Sequence, residues 1–377
     1  MPSTKSYRQL HDRVLARPGA AERLRALRDD NTPRTSVSSG APREAGEMLA
    51  DAQGLADGVL LERALDVDAS GEVPVHNLDL FRDAGLYGLW TPTDVGGCGF
   101  DELERLPILE ALAGGCLTTA FVWAQHGGGS ANAARMPAGS PLHERWARPL
   151  ATGERRSGVA FAHVLRPEPC LFAEHSGGGW VLRGVAPFVT GWGHIDAVLV
   201  AAHEADRLVW MLIPATEART LTSRRLRLAA VDSSVTVELH FNGHAVGNDE
   251  VVEVIDYSDW LSFYRQGLRT NGALMLGVAS RALGLLGPTP LDAELDAARS
   301  ALYAAEVDEM PERRAQVGYV GIRATSALVS SVGGRAITLA HHAQRLAREA
   351  LFLLVQGQTA EIRAGHLRRL VATDPEG

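Results

Sequence analysis

Few residues in this chain have the chemistry for covalent or metal catalysis. Lys5 is the single lysine among 377 residues, against 36 arginines. Schiff-base formation and a phosphate-cradling lysine therefore have no candidate in the body of the chain. Cys98, Cys116 and Cys170 are odd in number and far apart, which fits free thiols in a reducing compartment. None has metal-ligand spacing with a histidine, so no metal site is expected. His126-Gly127-Gly128-Gly129 is the type of run that forms an oxyanion loop, but no Gly-x-Ser-x-Gly elbow accompanies it. A helix interruption is the better reading. Gly191-Trp192-Gly193 is an incomplete dinucleotide fingerprint with no strand–helix–strand frame around it.

The elements that must position any site fall into three parts, an α+β organisation. Residues 1–45 read as an extension: a helical piece over Tyr7 to Arg28, then a Pro/Ser/Thr/Gly-rich linker. Met48, Leu49, Ala52, Leu55, Val59, Leu60 and Ala64 recur at helical spacing. Further helices are expected over Val75–Ala84, Leu103–Gly115, Leu117–Ala134 and Pro141–Leu150, giving a helical domain over 46–155. Short β-branched or aromatic runs then predict strands at Ser157–His163, Trp180–Arg183, Ala197–Ala202, Leu208–Ile213 and Val235–Phe241. They predict an antiparallel barrel or sandwich over 156–250. Residues 251–371 return to helix: Asp259–Leu286, Leu291–Glu309, Arg313–Val332, Gly334–Gln356 and Thr359–Val371, a bundle.

Composition excludes several classes. Apolar content of 46% and a mean hydropathy near zero fit a globular chain with a substantial core. The net charge of −8 argues against a nucleic-acid surface. Apolar runs such as Ala350 to Val355 are too short to span a bilayer. The polar stretch Met1 to Arg17 shows no signal peptide, so a cytoplasmic location is expected.

Three segments in order carry a family resemblance. They are Gly85-Leu86-Tyr87-Gly88-Leu89-Trp90-Thr91-Pro92 with Gly96-Gly97-Cys98-Gly99; Phe188-Val189-Thr190-Gly191-Trp192-Gly193; and Gln344 to Glu349 followed by Gln356-Gly357-Gln358-Thr359. Over residues 46–371 the chain resembles the acyl-CoA dehydrogenase superfamily. The resemblance implies FAD as cofactor, with FMN or a reduced flavin as the alternative. It implies that the Thr190 hydroxyl meets the flavin N5 region, with Trp192 beside it, and that the strand through Phe161 and His163 backs the ring. It implies adenine-end contacts from Gln316, Gly333, Gly334 and Thr359, and a late arginine at Arg345 or Arg348.

The same comparison exposes departures. Gln356 stands where the family carries its Glu base, and a carboxamide cannot abstract a proton. Glu361 is the nearby alternative acid. The stretch Arg265 to Thr270, where some members place the base instead, has no acid. The family's Thr-Glu and Gly-Ser-Asp signatures are absent after Phe161. The resemblance therefore implies a flavin-dependent oxidoreductase acting on an acyl thioester carried by coenzyme A or a carrier protein. The alternatives are a reduced-flavin monooxygenase using His163, His341, His342 or His366, and a degenerate subunit paired with an active paralogue. A homodimer or homotetramer through the bundle is implied, as is a flavin reductase or electron-transfer partner.

Overall fold

The computed structural model describes residues 43–371; the expected helix over Tyr7 to Arg28 lies outside them. The first helical part contains α1 (Ala45–Leu55), α2 (Leu61–Ser70), α3 (Val75–Asp83), α4 (Glu102–Gly115), α5 (Leu117–Ala124), α6 (His126–Ala134) and α7 (Pro141–Ala151). A π-helical turn, Ala56–Leu60, joins α1 to α2, with Gly58 off helical geometry. The start of α4 is a full capping box: Asp101 accepts from the Glu104 amide, and Glu104 accepts from the Asp101 amide, both at 2.9 Å. The Gly-Leu-x-Gly-Leu segment forms two short 3₁₀ turns, Leu86–Trp90 and Thr93–Val95. A Cβ on Gly97 would overlap Thr91 Oγ1, so only glycine closes that reversal.

The middle part is one sheet: β1 (Ser157–Ala160), β2 (Leu171–Ser176), β3 (Gly179–Val189), β4 (Ala197–Glu204), β5 (Arg207–Pro214), β6 (Leu221–Arg225), β7 (Val237–Gly247) and β8 (Val251–Asp256). Its order is β6-β7-β3-β2-β4-β5-β8, with β1 alongside β4. Most pairings are antiparallel, but β1 and β2 each run parallel to β4. The expected purely antiparallel sheet is therefore mixed. β2, β6 and β8 had no clear sequence signature because their exposed residues dilute the alternation, as in the β8 pattern Val251-Val252-Glu253-Val254-Ile255-Asp256. β4 is buried on both faces. Val198, Val200 and Ala202 enter the sheet's own core, while Ala197, Leu199 and Ala201 face the packed helices and Trp260.

The last part is α8 (Tyr257–Gln266), α9 (Leu268–Leu286), α10 (Pro290–Tyr303), α11 (Met310–Val332), α12 (His342–Val355) and α13 (Ala360–Val371). Three helices read as continuous from apolar spacing differ in detail. Leu117–Ala134 breaks at Gln125, Asp259–Leu286 breaks at Gly267, and α12 begins only at His342, after a 3₁₀ turn at Gly333–Ile337. Apolar periodicity survives a one-residue break, so it does not report one. Helices α1–α5 and α9–α12 share a single core cluster.

The His126-Gly127-Gly128-Gly129 run is the first turn of α6, laid tightly on its neighbours. A Cβ on Gly127 would stand 2.6 Å from the Trp90 ring, and one on Gly128 2.7 Å from Val159. His126 is buried, with Nε2 3.0 Å from the Leu150 carbonyl oxygen and Nδ1 accepting from the Ser157 amide at 3.1 Å. Burial lowers its pKa to about 3, so the ring is a neutral strut between α7 and β1. Gly127→Ala should cost about 1–3 kcal/mol by overpacking; a urea midpoint equal to that of the parent chain would contradict this close approach.

Candidate functional site

Thr190 lies at the end of β3, where the backbone is strained. Phe188 has φ +60°, and the β3–β7 register slips between Ala186 and Val189. Across from it, Val231 and Val235 also have positive φ, +52° and +47°. β-branched residues rarely adopt that conformation, and such strain collects where a ligand must be met. Three of the four non-glycine positive-φ residues among those described thus flank one threonine. Thr190 itself is buried. Its Oγ1 is 3.0 Å from Thr236 Oγ1, which is 2.8 Å from Ser234 Oγ. The backbone amides of Gly191 and Trp192 donate to Ser234 and Val235 carbonyls at 2.9 and 3.2 Å. Trp192 packs half-buried against the sheet core, and Phe188 stands exposed.

β1 runs directly against this loop: a Cβ on Gly158 would be 3.2 Å from the Thr190 carbonyl oxygen. Past the end of β1, Phe161 packs on Trp210, Trp260 and Tyr264, with ring centroids 5.5, 6.4 and 6.2 Å away. His163 turns the other way. It is fully buried, its Nε2 is 2.9 Å from the Ala201 carbonyl oxygen, and burial lowers its pKa to about 4.

Tyr264 connects the sheet to the bundle. Its hydroxyl donates to the Gly357 carbonyl at 3.2 Å, and burial raises its pKa to about 12. Gly357 has φ +60°, and a Cβ there would overlap the Asn271 side chain. Gln356 caps the C-terminus of α12, and its Oε1 is buried without a partner among the described residues. Phe161, Tyr264 and Gly357 form one line of contacts with Gln356 next in the chain, while Trp192 packs in the core on the sheet's other face beside Val189. Glu361 is outside that line: the carboxylate is exposed and pairs with Arg265 at 3.0 Å. Its own backbone amide, then Thr359 and Arg265, hold its pKa low. Thr359 spends its hydroxyl accepting the Ile362 amide at 3.2 Å, as the cap of α13.

The remaining expected contacts are spread out. Gln316 is half-buried on α11, and Gly333-Gly334 form an exposed turn at that helix's far end. Seventeen residues separate Gln316 from Gly333, about 26 Å of helix. Among the described residues, no atom beyond their chain neighbours comes within 4 Å of where a Cβ on either glycine would stand. Arg345 and Arg348 are not a solvated helix face. Arg345 is buried against Glu349 at 2.6 Å, and Arg348 holds Asp68 and the Ala229 carbonyl. His341 Nδ1 accepts the Ala343 amide at 3.1 Å; burial and Arg345 lower His342 to about 4. Sequence reasoning missed Tyr264, Asn271 and Arg314. Only Arg314 left a trace: a charge one turn from the apolar positions Val317 and Gly318.

This site lies where a helical domain, a sheet and a helical bundle converge, an arrangement that defines the acyl-CoA dehydrogenase class of fold. Residues 42–154 match the family model of the acyl-CoA dehydrogenase N-terminal domain. That match covers the first helical part of the chain, and together with the shared fold it supports a divergent member of the acyl-CoA dehydrogenase superfamily. The chain is 26% identical over 167 residues to 3-sulfinopropanoyl-CoA desulfinase of Advenella mimigardefordensis, a match covering 43% of this chain and 41% of that protein. The match thus spans about two fifths of that curated relative's length. Two solved structures share the fold. Butyryl-CoA dehydrogenase of Megasphaera elsdenii superposes with a TM-score of 0.72 at 18% identity, covering 91% of this chain and 100% of that one. A nitrososynthase of Micromonospora carbonacea does so with a TM-score of 0.70 at 22% identity, covering 92% and 99%.

Proposed function

We propose that this chain is a flavin-dependent oxidoreductase, with FAD as the flavin, whose chemistry runs without a carboxylate base. The residues present fit the group. A buried hydroxyl relay ends at Thr190 beside three strained residues, and an open glycine turn is free at Gly333-Gly334. Thr190 would hold the ring's polar edge, Phe161 would bound it on the side of the bundle, and Tyr264 would fix the Gly357 turn. Bound flavin supplies electron transfer and, once reduced, reactivity toward oxygen.

Gln356 carries the rest of the reading. A dehydrogenation needs an acceptor for the α-proton, and position 356 offers an amide. Glu361 is tied to Arg265 and held ionised. Tyr264 is held protonated and donates its proton to a carbonyl. A reduced-flavin oxygenase, supplied by a separate reductase, requires no base there, and the likeness to a nitrososynthase supports that reading. A thioester-directed reaction keeps one supporting observation: the desulfinase relative is named for a coenzyme A thioester.

The test is the visible spectrum of the purified protein with FAD and FMN added, followed by two challenges. Oxygen uptake that needs NADH and a flavin reductase supports the oxygenase. Bleaching by an acyl thioester alone selects the dehydrogenase, and no binding of oxidised or reduced flavin removes both. Thr190→Val should weaken flavin binding about tenfold and cost about 1 kcal/mol, because Thr236 loses one of its two hydroxyl partners. Unchanged titration and turnover would take Thr190 out of the site.

A further inference from the structure

A cluster of buried polar atoms without partners lies behind the Gln356-Gly357 turn. Arg314, on the first turns of α11, is 1% exposed. Its Nη2 donates to the Leu353 carbonyl at 2.6 Å, but Nη1 has no partner among the described residues. Glu312, two residues earlier, is taken by Arg368 and Arg369. His366, on α13, is also buried, and neither ring nitrogen is bonded among the described residues. It sits one turn along α11 from Arg314, with Nε2 2.5 Å from where a Cβ on Gly318 would stand. Tyr264 lies close enough to Arg314 for their charges to interact, and its hydroxyl holds Gly357. Gln356 Oε1, an acceptor, is also buried with no partner among the described residues.

A buried guanidinium without an anion is costly, and an apolar side chain of similar volume serves packing as well or better. Yet this chain keeps an arginine, a histidine and a carboxamide around one turn of the candidate site. Burial and the Arg314 charge lower the His366 pKa to about 4, so the neutral ring offers one N–H. The planar guanidinium fork matches the geometry of a carboxylate.

We propose that Arg314 and His366, beside the Gln356-Gly357 turn, form a recognition site for a carboxylate carried by a small ligand of the adjoining site. The anion supplies the charge Arg314 lacks and accepts from the unpaired N–H groups of Arg314 and His366. This inference takes its location from the candidate site and is independent of whether flavin is bound.

The experiment is a thermal-shift and calorimetric titration of the full-length protein with acetate, succinate, inorganic phosphate and chloride at constant ionic strength. Flavin uptake is followed separately by absorbance, so failure of the flavin reading leaves this result intact. Expected are saturable binding of acetate or succinate to the parent chain and at least tenfold weaker binding to Arg314→Met. Without carboxylate, Arg314→Met should melt no lower than the parent, because it removes an unpaired buried charge. Binding of phosphate alone, binding of no carboxylate, or a large drop in the melting temperature of carboxylate-free Arg314→Met would each overturn the proposal. If Arg314→Met does not fold, Arg314→Gln, which keeps an N–H for Leu353, decides: retained carboxylate affinity overturns the site and its loss supports it.

Discussion

Gln356→Glu should make flavin reduction by a short acyl-CoA such as butyryl-CoA at least about 100-fold faster than in the parent chain. A positioned general base contributes roughly 10²–10⁴-fold, and the family resemblance puts that group at position 356. The local geometry is already set. Gln356 ends α12, and Gly357 behind it is held by the Tyr264 hydroxyl. The new carboxyl would have Arg314 nearby as a buried cation, which favours its ionised form and offsets the cost of burial. The rate should therefore rise with pH through the pKa of the new group and then level off. The measurement is anaerobic stopped-flow bleaching of the flavin by the thioester in both proteins. Fast bleaching in the parent chain would show that the proton leaves by another route, and the oxygenase reading would fall with it.

Arg345→Ala should destabilise the fold by about 3–5 kcal/mol, the usual cost of stranding one half of a buried ion pair. Arg345 and Glu349, one turn apart on α12, are each nearly inaccessible and bonded at 2.6 Å. Alone, Glu349 would face a low-dielectric interior with its charge uncompensated, and burial already pushes its pKa up. Arg345→Met combined with Glu349→Leu should recover most of the loss, because neither partner is then stranded. Urea unfolding of the single and double variants measures this directly. If the double variant is as unstable as the single, the pair contributes something that packing cannot replace.

Much of the architecture was readable from spacing. Met48, Ala52 and Leu55, or Ala197 to Ala202, announce helix and strand because burying one face or both leaves a periodic apolar pattern. The Gly85 to Gly99 motif was legible because reversals there leave no room for a Cβ. Breaks at Gln125 and Gly267 left no such pattern. β8 was obscured because its partner, β5, lies forty or more residues earlier and its exposed positions, Val254 and Asp256, break a clean apolar–polar alternation.

The candidate site divides the same way. The sequence by itself determined the helix–sheet–bundle order, the hydroxyl at Thr190 and the absence of a carboxylate at 356, since residue type and local periodicity are properties of the chain. Only the tertiary structure decided that Arg265 neutralises Glu361, that His163 turns toward Ala201, and that Arg314, His366 and Tyr264 meet behind Gly357. Those relations depend on packing between segments about 40 to 100 residues apart (Tyr264, Arg314 and His366 lie on three different helices). Burial, ion pairing and the pKa values they set are consequences of neighbours that no local pattern of residues specifies.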